Sequence, residues 1–180
     1  MKRILTLALA LFPTAALAHP GHGSGFDAGL LHPLAGADHL LAMTGVGLWA
    51  ALQQGASRWA LPLSFLTAMA CGFVLANLGL TLPATEPMIL ASVFLLGAAI
   101  TLTLRVPLAA TLPLIALFGL AHGAAHGSEG SGPTFALGML AATAVLHSLG
   151  VGVGLTLNRF SLRLAGGATL FAGLGLAFAG

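Results

Sequence analysis

Charge is what this sequence has least of. Six Lys or Arg and four Asp or Glu make up 6% of its 180 residues, against about 25% in a soluble domain. A water-facing surface cannot be built from so little, which excludes an ordinary cytosolic enzyme, a nucleic-acid binder and a disordered linker. Cysteine is nearly absent too. The single Cys71 excludes a disulfide framework and any cysteine-based zinc ribbon. No nucleotide-binding motif and no H-E-x-x-H helix is present. What fills the chain is apolar: 58% of residues are hydrophobic, and 180 residues allow one domain at most. The composition predicts an all-α polytopic membrane protein, with the lipid bilayer as its surroundings.

The first eighteen residues read as a targeting segment. Lys2 and Arg3 precede an apolar run from Ile4 to Phe12, and Ala16-Leu17-Ala18 follows the helix-breaking Pro13. A basic start, a short apolar middle and an A-x-A end describe a secretory signal peptide over 1–18. The run is shorter than the roughly 20 residues a spanning helix needs; the rival reading is an uncleaved first helix. Cleavage would leave 19–180 as the mature domain, beginning at His19 on the outer side. It would also remove the basic surplus, because Arg58, Arg105, Arg159 and Arg163 then balance Asp27, Asp38, Glu86 and Glu129.

Beyond Ala18, apolar runs alternate with short polar or proline-marked breaks. Spans are expected near 30–51, 59–80, 87–104, 107–126, 133–157 and 164–180, each close to bilayer length. With an exported N-terminus, the first, third and fifth breaks are cytoplasmic. They contain Arg58, Arg105, Arg159 and Arg163, while Glu86 and Glu129 fall outside, as the positive-inside rule requires. The abundant glycines suit close helix packing in lipid; Gly150, Gly152, Gly154, Gly166, Gly173 and Gly175 are expected in that role.

Ionisable groups inside a membrane are costly and mark function. The first span reads His32-Pro33-Leu34-Ala35-Gly36-Ala37-Asp38-His39. On one continuous helix, His32 and His39 lie two turns apart on a shared face, and Met43 extends the stripe. Asp38 is either a flanking ligand or the carboxylate that orients an imidazole. The fourth span ends His122-Gly123-Ala124-Ala125-His126-Gly127-Ser128-Glu129. The spacing i, i+4, i+7 puts His122, His126 and Glu129 on one face, a donor set able to hold a divalent cation. The topology brings both clusters to the outer half of the membrane. His147 is a deeper ligand or a helix–helix hydrogen bond; Asn77 and Thr143 read as structural polar contacts, Cys71, Met69 and Met139 as packing in preference to soft ligands, and Met43 as packing or a further ligand. His19 and His22, in His19-Pro20-Gly21-His22-Gly23, form either a metal-collecting tail or a linker.

Together the two motifs resemble the HupE/UreJ family of bacterial nickel permeases, accessory to hydrogenase and urease. In the first span His32-Pro33, Gly36, Asp38-His39, Leu41-Ala42-Met43, Val46-Gly47 and Trp49-Ala50 follow the family pattern. In the fourth, His122-Gly123, Ala125-His126-Gly127 and Glu129 do so. Ala121 departs from it, standing where the family carries an aromatic residue, which bears on local packing or selectivity. The resemblance covers essentially the whole chain. It implies a six-span permease of the bacterial inner membrane with both mature termini periplasmic. The implied cargo is Ni2+ or Co2+, a transported substrate and not a cofactor, held by His32, Asp38, His39, His122, His126 and Glu129.

Two other classes fit the residue types. An intramembrane hydrolase would use the same donors to hold zinc and a nucleophilic water, but no nucleophile–base pair accompanies them. A haem protein would use paired histidines and leave the carboxylates without a task.

Overall fold

A computed structural model describes residues 25–55, 57–130 and 132–179. The expected signal peptide, His19 and His22 lie outside the described residues. Within them the chain forms seven helices and no strand: α1 Phe26–Ala35, α2 Ala37–Ala51, α3 Ser57–Asn77, α4 Thr85–Thr101, α5 Leu108–Glu129, α6 Pro133–Thr156 and α7 Arg159–Ala179. Leu63, Leu137, Leu149 and Phe171 are exposed, so the bundle is apolar outside as well as inside. That pattern belongs to helices bathed in lipid. Helices Ser57–Asn77, Leu108–Glu129, Pro133–Thr156 and Arg159–Phe178 are long and apolar enough to cross a membrane. Helix α4 is equally apolar but has 17 residues.

The first expected span departs from the sequence reading. In place of one helix over 30–51, the chain forms α1 and α2, parted at Gly36, whose backbone is extended (φ −96°, ψ 123°). Pro33, in the last turn of α1, has no N–H and crowds the carbonyl four residues back. Gly36 then gives room for the side chains that follow. A Cβ there would stand 2.7 Å from His39 Cδ2 and 2.9 Å from Asp38 Oδ1. His32 and His39 therefore do not share the face of a continuous helix; they flank a break. Other bounds differ as well: α3 ends at Asn77 and α4 at Thr101, short of the expected 80 and 104. Helix α5 continues past 126 to Glu129, and α7 begins at Arg159, ahead of the expected 164.

Glycine sets how closely the helices cross. A Cβ at Gly119 or Gly123 of α5 would run into the backbone carbonyl of Phe65 or Met69 on α3. Gly47 meets Gly150 where α2 crosses α6, and Gly29 and Gly138 open the crossing of α1 with α6. Small residues let backbones touch, which carries helix association where lipid removes the hydrophobic drive. Gly150, Gly154, Gly166 and Gly173 fill the expected packing role, whereas Gly152 and Gly175 have no neighbour within 4 Å.

The two ends of the bundle differ in charge. Where α2 and α4 end, Trp49 Nε1 donates to the Leu104 carbonyl at 2.9 Å, and Arg163 Nε donates to the Thr101 carbonyl at 3.1 Å. Arg58, Arg105 and Arg159 belong to that same end by topology. Glu86, at the start of α4, and Glu129, at the close of α5, lie at the opposite end.

Candidate metal centre

The acidic end collects the histidines that the sequence singled out. His32, in the last turn of α1, meets Glu129 across 97 residues of chain, with Nε2 2.7 Å from Oε2. His126, one turn before Glu129 on α5, has its Nδ1 3.7 Å from the same oxygen. His32, His126 and Glu129 each contribute a ligand atom within 4.8 Å of the others. Ring centroids of His32 and His126 are 4.7 Å apart. His39, in the first turn of α2, continues the series at 4.4 Å from His126 and 5.0 Å from His122. Four imidazoles and a carboxylate from α1, α2 and α5 thus form one contiguous cluster. The break at Gly36 allows it, because His32 and His39 approach α5 from two helix segments.

Exposure falls along this series. The side chains of Glu129 and His32 are 50% and 31% exposed, whereas His126 and His122 are fully buried. Several ring nitrogens here have no hydrogen-bond partner: His39 Nδ1, His122 Nε2 and both nitrogens of His126. Buried polar atoms are almost always paired, so such a concentration of free donors and acceptors needs a reason. For His122 the tautomer follows from its neighbour. Nδ1 lies 2.9 Å from the Phe118 carbonyl, which only accepts, so Nδ1 carries the proton and Nε2 presents a lone pair. A backbone carbonyl holding one nitrogen while the other stays free is the usual way a metal-binding imidazole is oriented.

Asp38, at the start of α2, bonds to main chain. Its Oδ1 accepts the backbone N–H of His39 at 2.8 Å, satisfying a free donor in the first turn of α2. It bonds no imidazole among the described residues. Met43 and His147 lie apart from the outer group and meet each other, His147 Nδ1 donating to the Met43 carbonyl at 2.7 Å. Asn77 is a structural contact, donating to the carbonyls of Phe73 and Gly127 at 3.0 and 3.4 Å. Cys71 is exposed on α3.

Sequence reasoning left Glu86 among the loop residues. The structure places it in the first turn of α4, at the acidic end of the bundle. Its one sequence signal was its side: it shares the outer end with Glu129.

The chemistry available is reversible capture of a divalent cation by nitrogen and oxygen donors of graded exposure. A family model described as HupE / UreJ protein matches residues 7–180. The chain is also similar to Protein HupE of Rhizobium leguminosarum bv. viciae, at 38% identity over 186 residues, covering 97% of this chain and 96% of that one. No solved structure matches it.

Proposed function

The chain belongs to the HupE/UreJ family, and we propose that it is a secondary permease carrying Ni2+ or Co2+ inward across the bacterial inner membrane to supply hydrogenase or urease maturation. One observation carries this reading: imidazoles of His32, His39, His122 and His126 converge with Glu129 at the acidic end of an apolar bundle, several nitrogens having no partner. Imidazole suits Ni2+, and carboxylates supply the compensating charge. The exposed Glu129 and His32 meet the ion first; His126, His39 and His122 replace more of its water shell as it moves inward.

In this reading α1 and α2 together make the first of six spans and α4 the third. The arginine end faces the cytoplasm, so the cluster opens to the periplasm, as do the mature termini after removal of 1–18. Transport needs release as well as capture. Interrupted helices flank the substrate sites of many transporters, and the break at Gly36 lies between two of the ligands. Metal binding requires neutral imidazoles, so protonation discharges the site and offers a route for coupling.

The test is radiolabelled nickel uptake in a strain lacking its own nickel transporters, with Co2+, Zn2+ and Mn2+ as competitors. Saturable accumulation that His39→Ala and His126→Ala abolish supports the permease. A chain that reaches the membrane and takes up no nickel refutes it.

A further inference from the structure

Deeper in the bundle, a second group of donors has no part in the outer cluster. His147 of α6 is 1% exposed, and its Nε2 is buried without a partner. Because its Nδ1 donates to the Met43 carbonyl, the lone pair is on Nε2. One turn earlier on α6, the fully buried Thr143 hydroxyl lies 3.3 Å from Met43 Sδ and 3.6 Å from Met69 Sδ. Two thioether sulfurs, from α2 and α3, therefore meet one hydroxyl, and the free imidazole nitrogen belongs to the residue one turn further along α6, whose ring is bonded to the main chain of Met43. The group also adjoins the outer series. The Phe65 ring packs against His147 at 5.0 Å and against His122 at 5.2 Å, so a single aromatic ring links the deepest outer histidine to His147.

The donor types differ between the two levels. Carboxylate and imidazole at the mouth accept hard and borderline ions alike, whereas thioether sulfur is a poor ligand for Mg2+, Ca2+ or Mn2+. We infer that Met43, Met69, Thr143 and His147 form a second cation station at the centre of the bundle, which receives a borderline-soft divalent ion from the outer cluster and turns hard, oxygen-seeking ions away. The inference rests on the permease reading for the direction of travel, though not for binding itself.

His147→Asn and His147→Gln separate the two tasks of the ring. Asparagine retains an N–H donor near the Nδ1 position and has nothing at Nε2. Glutamine reaches the Nε2 position with an amide oxygen and gives up the bond to Met43. At equal membrane levels, the station requires His147→Asn to lower nickel uptake at least about tenfold, since losing even a group behind a ligand costs 10–100-fold. His147→Gln should retain more uptake than His147→Asn. Full activity in both variants, or an active Asn with an inactive Gln, would mean the ring only clamps α2 to α6 and overturns the station. In the Met43→Gln/Met69→Gln double variant, excess Mn2+ should compete with nickel as it does not in the parent; nickel transport with Mn2+ still excluded overturns it.

X-ray absorption of nickel on the purified full chain reads the station apart from transport. Sulfur neighbours that vanish in Met43→Leu/Met69→Leu support it, and nickel in excess with only nitrogen and oxygen neighbours refutes it. A parent chain that shows the sulfur shell but no nickel uptake would fail the permease reading and leave the binding site standing.

Discussion

Replacing Gly123 with alanine sets a methyl group against the backbone of α3. The added Cβ would overlap the Met69 carbonyl and stand 2.9 Å from Met69 Cα, where carbon atoms in contact keep about 3.5–4.0 Å apart. No side-chain rotation relieves this, because the obstacle is main chain. Helices α3 and α5 must part by roughly 1 Å, and overpacking of that kind costs about 1–3 kcal/mol. His122 and His126 ride on α5, so the shift moves them against His32 and His39 by a sizeable fraction of a metal–nitrogen bond, about 2.0–2.1 Å for zinc. If half the cost falls on the loaded site, uptake at low nickel drops roughly two- to twelvefold, at about 1.4 kcal/mol per decade. Gly152→Ala is the control, since its Cβ meets nothing within 4 Å. The assays are thermal stability in detergent and radiolabelled nickel uptake at matched membrane levels. A Gly123→Ala protein indistinguishable from Gly152→Ala in both would refute the account of glycine as the spacer that sets the site.

Three more perturbations probe other parts of the molecule. Glu129→Gln keeps the size of the side chain that meets His32 and His126 but removes its charge, so nickel uptake should fall at least about tenfold, with Tm nearly unchanged; normal uptake would remove Glu129 from the ligand set. Gly36→Ala places a methyl group against His39 and Asp38, so nickel affinity, read by titration of purified protein, should weaken while Gly152→Ala leaves it intact. Trp49→Phe deletes the donor to the Leu104 carbonyl at the arginine end. It should lower stability by about 0.5–1.5 kcal/mol and leave nickel affinity alone; a matching loss of affinity would show that the two ends are coupled.

Much of this architecture was legible because scarce charge is informative. Every arginine of the described chain sits at one end, and i, i+4, i+7 spacing put His122, His126 and Glu129 on one face of α5, as found. What failed was continuity. Pro33 and Gly36, three residues apart, carried the signal for a broken helix, but an unbroken apolar run favours reading one span. Periodicity names the face a residue occupies and says nothing of what the face meets, so Met69 beside Thr143 and His39 beside His126 were out of reach. The same limit explains Gly152 and Gly175. Composition marks them as packing glycines, and only the crossings decide which glycines pack.

Helices α1 and α2 touch each other little, and both lie along α6, with Gly29, Gly47, Gly138 and Gly150 at the crossings. Yet α6 supplies none of the outer donors, and all of them precede Pro133 in the chain. A nascent chain halted before α6 would therefore carry every imidazole and carboxylate of the cluster without the helix that holds α1 and α2, and with them His32 and His39, side by side. On the proposed reading, the site takes shape only with a helix synthesised after the last of its donors, and until then the growing protein has the donor side chains without their arrangement.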